Sequence, residues 1–375
     1  MKSMLRVLQV AFTYIGTVVG AGFATGQEII QFFTRYGRVA VVTILITTIL
    51  FIWLGTKLMI LANRLKARSY EDVNVALFGP KTGQYVSLFT LIVLTCVNSV
   101  MLAGAGAVFN EHLNMSYQTG LIITIAASYW IINRGMNAIL QLNSIVVPTM
   151  LLFTSFIMWD TFNQPNTLYG VTMITDQPIY AAIVSAILYG AFNLAMAQAV
   201  LVPLGTSMPD ERIIRWGGWV GGILIGIMLI CGHMALSIQM PGVTQFDIPM
   251  GQIAYGLGAA VQMIYIILIF SEIFSTFVAD IYGVSLQLKH RLSLHPKLII
   301  ALIMLFCYVM SQFGFKPLVS FLYPIFGLLS VFWMVLLIRK NITHITPLPP
   351  AADIMKKSTS IAGSSLAAKV REDKP

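Results

Sequence analysis

The succession of long apolar stretches along the first 338 residues constrains this chain more than any other feature. A helix that crosses a lipid bilayer needs about 20 consecutive, mainly apolar residues. Stretches close to that length or longer occur ten times, at positions 7–32, 39–62, 83–110, 117–133, 137–159, 177–204, 212–236, 254–287, 297–313 and 317–338. The sequence therefore predicts an all-α integral membrane protein with about ten transmembrane helices.

Charged residues are too scarce for a water-soluble protein. They make up 10% of the 375 residues, whereas hydrophobic residues make up 57%. Globular domains carry about 25% charged residues. No segment is suited to a separate catalytic domain, and neither His-Glu-x-x-His nor Gly-x-Ser-x-Gly occurs. We therefore expect membrane lipid around the protein, and no enzymatic activity, no nucleic-acid partner and no resident cofactor.

The basic residues divide unevenly between the two sides of the membrane. With the N-terminus inside, 20 of the 23 Lys and Arg residues fall on the inner side, and Arg35, Arg38 and Lys316 fall on the outer side. Positively charged loops stay in the cytoplasm. An even number of crossings in the cell membrane, with both termini cytoplasmic, accounts for this split and for the net charge of +9.

The apolar stretches divide five and five about the loop at 160–176. Because five is odd, the second half must enter the bilayer from the opposite side, as in the inverted repeats of secondary transporters. We therefore assign 1–160 to a first five-helix repeat and 161–338 to a second. Residues 339–375 contain several Pro, Ser, Ala and Lys residues and are expected to form a flexible cytoplasmic tail.

Two stretches carry signals of a broken helix. The eleven residues from Gly16 to Gly26 include four glycines, counting both ends. Each glycine costs about 1 kcal/mol of helix propensity relative to Ala. Such a segment either unwinds, with its freed backbone groups lining a cavity, or packs closely against another helix. The sixth stretch has a weaker signal at 189–193 (Tyr-Gly-Ala-Phe-Asn), between Pro178 and Pro203. Because the two signals open corresponding halves, we expect interruptions in helices 1 and 6.

The motif at 16–22 (Gly-Thr-Val-Val-Gly-Ala-Gly) resembles the first-helix break of the leucine-transporter fold. The fuller motif at 20–28 (Gly-Ala-Gly-Phe-Ala-Thr-Gly-Gln-Glu) is similar to the signature of YkvI-type bacterial membrane proteins, within the wider amino acid, polyamine and organocation group of transporters. The resemblance covers about residues 1–338 and implies a leucine-transporter-like 5+5 helix arrangement, alternating access and a bacterial plasma membrane. It implies a class of mechanism and leaves the solute open.

Four polar residues of the eighth stretch, Glu272, Ser275, Thr276 and Asp280, are spaced so that they share one face of a helix. A polar face inside an apolar segment should meet protein, water or an ion rather than lipid. In sodium-coupled members of the leucine-transporter fold, two adjacent hydroxyl residues of the eighth helix bind Na⁺ together with carbonyls of the first-helix break.

By this resemblance, Ser275 and Thr276 would bind Na⁺ with the carbonyl oxygens of Gly16 and Val19. Na⁺ is a hard cation that prefers oxygen ligands. The alternative is that both hydroxyls bond to their own helix. Proton-coupled relatives often place a Lys on the fifth helix at the sodium position, and residues 137–159 contain none, which favours Na⁺ over H⁺.

Three acids are candidates for coupling or gating. Glu272 lies deep in a span without an obvious basic partner, so it must be protonated, ion-bound or hydrated. It is either a proton carrier or cation ligand, or a permanently neutral acid. Asp280 lies two turns on, about 12 Å nearer the cytoplasm. Glu28 precedes Arg35 and Arg38, with which it would form either an extracellular gate or an ordinary interfacial ion pair.

A break near Gly20 would aim the free N–H groups of the outer half-helix at the bilayer midplane. Those donors suit a carboxylate. Side chains from spans 3 and 6 would complete the pocket, although packing roles for the same residues are equally good alternatives. The candidate solute-binding residues are Gly20, Ala21, Gly22, Thr25, Asn98, Tyr189 and Asn193.

The sequence as a whole predicts a secondary active transporter, in which a cation, Na⁺ or else H⁺, drives symport of a small amino-acid-like or carboxylate solute. The alternative is a membrane sensor or receptor subunit that has the transporter fold and binds a small ligand without moving it. The oligomeric state and the identity of the solute stay open.

Overall fold

The computed structural model describes residues 2–67, 69–132, 136–164, 172–291 and 294–342. Within these ranges the regular secondary structure is helical, and no strand occurs. The prediction of an all-α protein is therefore confirmed. Most of the predicted tail lies outside the described residues.

Fourteen helices follow one another along the described part of the chain. They are α1 (Lys2–Val18), α2 (Ala21–Thr25), α3 (Gln27–Phe32), α4 (Val39–Leu65), α5 (Tyr70–Phe78), α6 (Pro80–His112), α7 (Tyr117–Ile132), α8 (Met136–Asn163), α9 (Ile179–Ser207), α10 (Glu211–Ile238), α11 (Pro249–Gly256), α12 (Ala259–Arg291), α13 (Pro296–Ser311) and α14 (Phe315–Arg339). A π-helical turn interrupts α4 at Phe51–Gly55, and short 3-10 turns occur at Thr34–Tyr36 and Gly242–Gln245.

Six helices in the described part of the chain, α4, α6, α9, α10, α12 and α14, are long and apolar enough to cross a membrane. Shorter apolar helices occupy Ser3–Val18, Tyr117–Ile132 and Pro296–Ser311. A multi-pass membrane protein is therefore confirmed. Helices lie in each of the predicted apolar stretches, but a count of ten crossings and the inverted repeat remain predictions.

The first apolar stretch is interrupted, as predicted. The helix α1 ends at Val18, and α2 begins at Ala21 after Gly20, whose backbone is extended at φ −97° and ψ −168°. A second break follows at Gly26, whose φ of 89° lies in the left-handed region that favours glycine. The glycines thus divide this stretch into α1, α2 and α3.

The predicted interruption of the sixth stretch is wrong, because α9 runs unbroken from Ile179 to Ser207. A Cβ atom placed on Gly190 would lie 3.2 Å from the side chain of Leu50, so this glycine allows α9 to approach α4 closely. A single glycine costs about 1 kcal/mol of helix propensity. Leaving backbone groups unpaired in apolar surroundings costs more, and the helix therefore continues.

A face of small residues on α10 brings this helix close to α1 and α4. Cβ atoms placed on Gly217 and Gly221 would lie 2.5 Å from Val10 and 2.9 Å from Tyr14, both on α1. Gly222, also on α10, packs against backbone atoms of Ile52 in α4. Small residues allow helix backbones to approach in this way within membranes. Helix α10 therefore packs closely against α1, the first part of the broken span.

This packing predicts opposite effects for two helical glycines. A Cβ on Gly222 would lie 2.9 Å from the backbone of Ile52, whereas a Cβ on Gly283 would meet nothing within 4 Å. Overpacking costs about 1–3 kcal/mol, and alanine gains about 1 kcal/mol of helix propensity over glycine. We expect Gly222→Ala to lower the melting temperature of the purified protein in detergent, and Gly283→Ala to leave it unchanged or raise it. Equal melting temperatures would contradict this packing.

Candidate functional site

The backbone of the first break leaves the helical hydrogen-bond pattern. In a continuous helix the N–H of Gly20 would donate to the carbonyl of Gly16. It donates instead to Val18 O at 3.1 Å, while Val19 N–H donates to Ile15 O at 2.7 Å. The Gly16 carbonyl is therefore released from Gly20, which is the condition that the predicted cation site requires.

The break borders open space. A Cβ atom placed on Gly20 would meet no atom within 4 Å. On the other side of the break, Ala21 is the first residue of α2. The hydroxyl of Thr25 is buried and donates to Gly22 O at 3.1 Å, so it is engaged within α2 itself.

The carboxyl group of Glu28 folds back against the start of α2. Glu28 lies in the first turn of α3 and is 4% exposed. A Cβ atom placed on Gly22 would overlap Glu28 Oε1 and would lie 2.7 Å from Glu28 Cδ. Gly22 therefore leaves the room that this carboxyl group occupies, beside the backbone of the break.

The predicted pairing of Glu28 with Arg35 or Arg38 is wrong. Neither Arg35 nor Arg38 forms an ion pair with it in the described part of the chain. Arg35 turns to its neighbour Tyr36 instead, donating to the hydroxyl at 2.6 Å with its guanidinium carbon 4.9 Å from the ring centre. The back-folded side chain of Glu28 removes it from the loop in which both arginines lie.

Tyr189 lies beside Glu28 in an aromatic cage. Its ring centre is 5.2 Å from Phe32, 5.0 Å from Phe33 and 6.1 Å from Phe51, and the side chain is fully buried. The hydroxyl and the Glu28 carboxyl interact electrostatically. Among the described residues, however, neither the Tyr189 hydroxyl nor Glu28 Oε2 has a hydrogen-bond partner of acceptable geometry.

Tyr323 of α14 completes a buried group that we call the Glu28 cluster, consisting of Glu28, Tyr189 and Tyr323. Tyr323 is 1% exposed, packs against Phe192 at 4.5 Å between ring centres, and lies within electrostatic range of Glu28 and of Asp280. Tyr323 was not among the residues predicted from the sequence. A tyrosine in an apolar span next to a proline is a weak signal without the fold.

Two amides in the spans are buried without partners. Asn98 of α6 and Gln198 of α9 are both 0% exposed, and neither amide oxygen nor nitrogen of either residue has a hydrogen-bond partner within the described ranges. Asn98 was a predicted candidate, whereas Gln198 was missed, although it is a lone amide inside an apolar stretch. Asn193 differs from both, because its amide donates to Tyr189 O at 3.1 Å along the same helix.

The polar face of α12 is partly engaged by its own helix. Ser275 is 1% exposed and donates to the carbonyl of Glu272 at 3.1 Å, which is the back-bonding alternative. Glu272 is 3% exposed, and Thr276 and Asp280 are half-buried. That Ser275 and Thr276 form a cation site together with the carbonyls of the break remains a prediction.

Helix α12 nevertheless contacts the broken span. The buried hydroxyl of Tyr265 donates to Ala24 O, in α2, at 3.0 Å. This hydrogen bond joins the first part of α12 to α2.

The segment 242–256 covers the predicted outer end of the broken span. Gln27 donates to Phe246 O at 2.6 Å, and the side chain of Met250 would lie 2.9 Å from a Cβ on Gly26. Glu111 accepts from the backbone N–H of Asp247 at 2.7 Å and so fixes this segment to α6. Burial raises the pKa of Asp247, an effect opposed by Lys316.

Among the described residues, no group of three or more His, Cys, Asp or Glu side chains that could hold a metal ion converges. Carbonyl and hydroxyl oxygen atoms, as near the break, are ligands that suit hard cations.

Two proteins of Bacillus subtilis (strain 168) are similar to the chain along most of its length. The uncharacterized membrane protein YkvI is 40% identical over 333 residues, covering 89% of the chain and 95% of the relative. The chain belongs to the YkvI family of bacterial membrane proteins. The protein YyaD is 24% identical over 344 residues, covering 90% and 96%. No protein-family model matches the chain.

Solved structures show the fold. A mutant of the manganese transporter of Eremococcus coleocola aligns with a TM-score of 0.64 and 12% identity over 98% of this chain and 88% of its own. Mhp1, a nucleobase-cation-symport-1 family transporter in a closed conformation, aligns with a TM-score of 0.60 and 11% identity over 86% and 74%. Both belong to families of the leucine-transporter fold. At these identities the likeness concerns the fold alone.

The position of Glu28 can be tested with two neighbouring glycines. A Cβ on Gly22 would displace the carboxyl, whereas a Cβ on Gly20 would enter open space. We expect Gly22→Ala to increase the modification of Glu28 by a water-soluble carbodiimide, measured by mass spectrometry of the digested protein. Gly20→Ala is the matched control and should modify as the native protein does. Unchanged modification in Gly22→Ala would show that Glu28 does not pack there.

Proposed function

We propose that the protein is a cation-coupled secondary transporter for a small amino-acid-like solute, working by alternating access. The transporter fold and the broken first span support this proposal. Its finer elements are ten crossings in two inverted five-helix repeats, 1–160 and 161–338, with cytoplasmic termini and the tail at 339–375.

The observation that carries the proposal is a set of buried polar groups inside the spans. The amides of Asn98 and Gln198 have no hydrogen-bond partner among the described residues, and the Glu28 carboxyl and the Tyr189 hydroxyl interact with each other. Each unpaired group costs about 1–3 kcal/mol. Native proteins keep these groups where a ligand or another state of the protein pairs them. We infer that a polar solute bound between the spans supplies that pairing.

The position of Glu28 refines the class of solute. Its carboxyl lies beside Gly22, at the start of α2, where the sequence predicts the carboxylate of the solute. A nearby cation favours the ionised form of a buried carboxyl, whereas a second carboxylate disfavours it. An ammonium group would form a charge-assisted hydrogen bond with Glu28. We therefore favour an amino-acid-like solute over a simple carboxylate, with its amine directed at Glu28.

For the coupling ion, we propose Na⁺ bound between the Gly16 and Val19 carbonyls and the hydroxyls of Ser275 and Thr276. The release of the Gly16 carbonyl from Gly20 and the contact of α12 with the broken span support this arrangement. Ser275 would have to exchange its bond to Glu272 O for the ion. Proton coupling through Glu272 or Asp280 is the competing outcome of the experiments below.

Uptake into proteoliposomes tests the function and the role of Glu28. We expect an inward Na⁺ gradient to drive accumulation of a labelled amino acid or a close relative from a panel that also contains simple amines and simple carboxylates. A hydrogen bond to a charged group contributes about 1.5–3 kcal/mol, so Glu28→Gln should lower uptake at low solute concentration about tenfold or more. Asp176→Asn, in the loop before α9, is the control and should transport normally.

Two results would overturn the proposal. Ligand-induced thermal stabilisation without accumulation under any Na⁺ or pH gradient would favour the sensor alternative. Accumulation driven by a pH gradient alone would replace Na⁺ by H⁺ as the coupling ion.

The sodium site has its own test in the absence of solute. We expect NaCl to raise the melting temperature of the purified protein relative to choline chloride, and Thr276→Ala to abolish that increase because it removes one ligand. Ser271→Ala is the control, since Ser271 lies on the same helix with its hydroxyl bonded to Ile267 O at 2.7 Å. A sodium effect that Thr276→Ala leaves unchanged would remove the ion from this position.

A further inference from the structure

A cavity of about 470 Å³ lies between the second half of α4, the start of α10 and the end of α14. Trp53 and Lys57 of α4 and Arg215 and Trp219 of α10 line two of its sides. The end of α14 and the residues that follow it form the remaining side. The cavity is open, shares no residue with the Glu28 cluster, and plays no part in the proposed transport site.

The wall of this cavity is strongly basic. Lys57, Arg215, Arg339 and Lys340 all line it, and none of the described residues that line it is acidic. Lys57 Nζ donates to Ile338 O at 2.9 Å, a bond to a neutral carbonyl that leaves its charge uncompensated. Four cations in one cavity favour the binding of an anion.

The nearby acid Glu211 is already engaged. Glu211 forms ion pairs with Arg64 at 2.6 Å and with Arg215 at 3.7 Å, and the side chain of Arg215 remains 59% exposed. Lys340 Nζ donates to another neutral carbonyl, Ala76 O, at 2.8 Å. The cavity therefore keeps a net positive charge.

The rest of the wall suits the boundary between lipid head groups and acyl chains. Trp53 and Trp219 are 49% and 54% exposed, and tryptophan is enriched at membrane interfaces. Ile52, Ile60 and Ile338 provide apolar surface beside them. Basic pockets between transmembrane helices on the cytoplasmic side bind the head groups of anionic lipids.

We propose that this cavity binds the phosphate of an anionic phospholipid head group, with the acyl chains lying along Trp53 and Trp219. Arg215 and Arg339 contact the phosphate, and Lys57 and Lys340 contribute charge from either side. The bound lipid connects α4, α10 and α14 at one end of the bundle. A free phosphate would pair with the cations but would leave the exposed tryptophans without apolar contact. We therefore propose a lipid as the occupant.

Native mass spectrometry and melting temperatures of the full chain test the proposal. Protein in detergent is titrated with phosphatidylglycerol, with phosphatidylcholine and with inorganic phosphate. We expect phosphatidylglycerol alone to remain bound and to raise the melting temperature. The double variant Arg215→Gln with Arg339→Gln should bind it about 30-fold more weakly, since each basic residue near a membrane surface contributes roughly a fivefold effect.

The matched control is Arg212→Gln with Lys297→Gln. It removes the same charge from exposed positions that do not line the cavity, and should bind phosphatidylglycerol as the native protein does. Equal binding by both double variants would show that only net charge matters, and would overturn the site. Equal stabilisation by inorganic phosphate would overturn the lipid as its source, and equal binding of phosphatidylcholine would overturn the role of the charge.

Discussion

Backbone hydrogen bonding in apolar surroundings is the constraint on which this structure depends, because lipid offers no partner for an unpaired N–H or C=O group. The spans obey it by remaining helical, and even Gly190 and Pro203 do not interrupt α9. The first span departs from it at Val19 and Gly20. The glycine face of α10 supports the back of this broken span, so the departure occurs inside protein, next to open space.

The break determines what lies around it. Gly22 leaves room for the carboxyl of Glu28, which interacts with Tyr189 inside its aromatic cage. A negatively charged or proton-bearing group thus occupies the place where a helix start alone would favour an anion. We therefore propose that the site selects a solute with an amine rather than a simple carboxylate. In this proposal, one side chain of the broken span sets the class of solute.

Local signals were enough for part of this structure and insufficient for the rest. The apolar stretches predict the helices, and the clustered glycines from Gly16 to Gly26 predict the first break, because both effects arise within a few neighbouring residues. The prediction that α9 is interrupted was wrong, because Gly190 packs against Leu50, which is distant in sequence. The ionic partner of Glu28, the role of Tyr323 and the basic cavity likewise depend on side chains from separate helices. The lone amide of Gln198 was visible in the sequence, but its burial was not.

The central claim is that Glu28 contacts the solute inside the break. The most direct measurement is the rate at which a water-soluble carbodiimide modifies Glu28 in the purified protein, with and without a saturating amino acid that stabilises it. We expect the solute to slow the modification of Glu28 by the carbodiimide and to leave the modification of Asp176 unchanged. Equal modification of Glu28 in both conditions would contradict it.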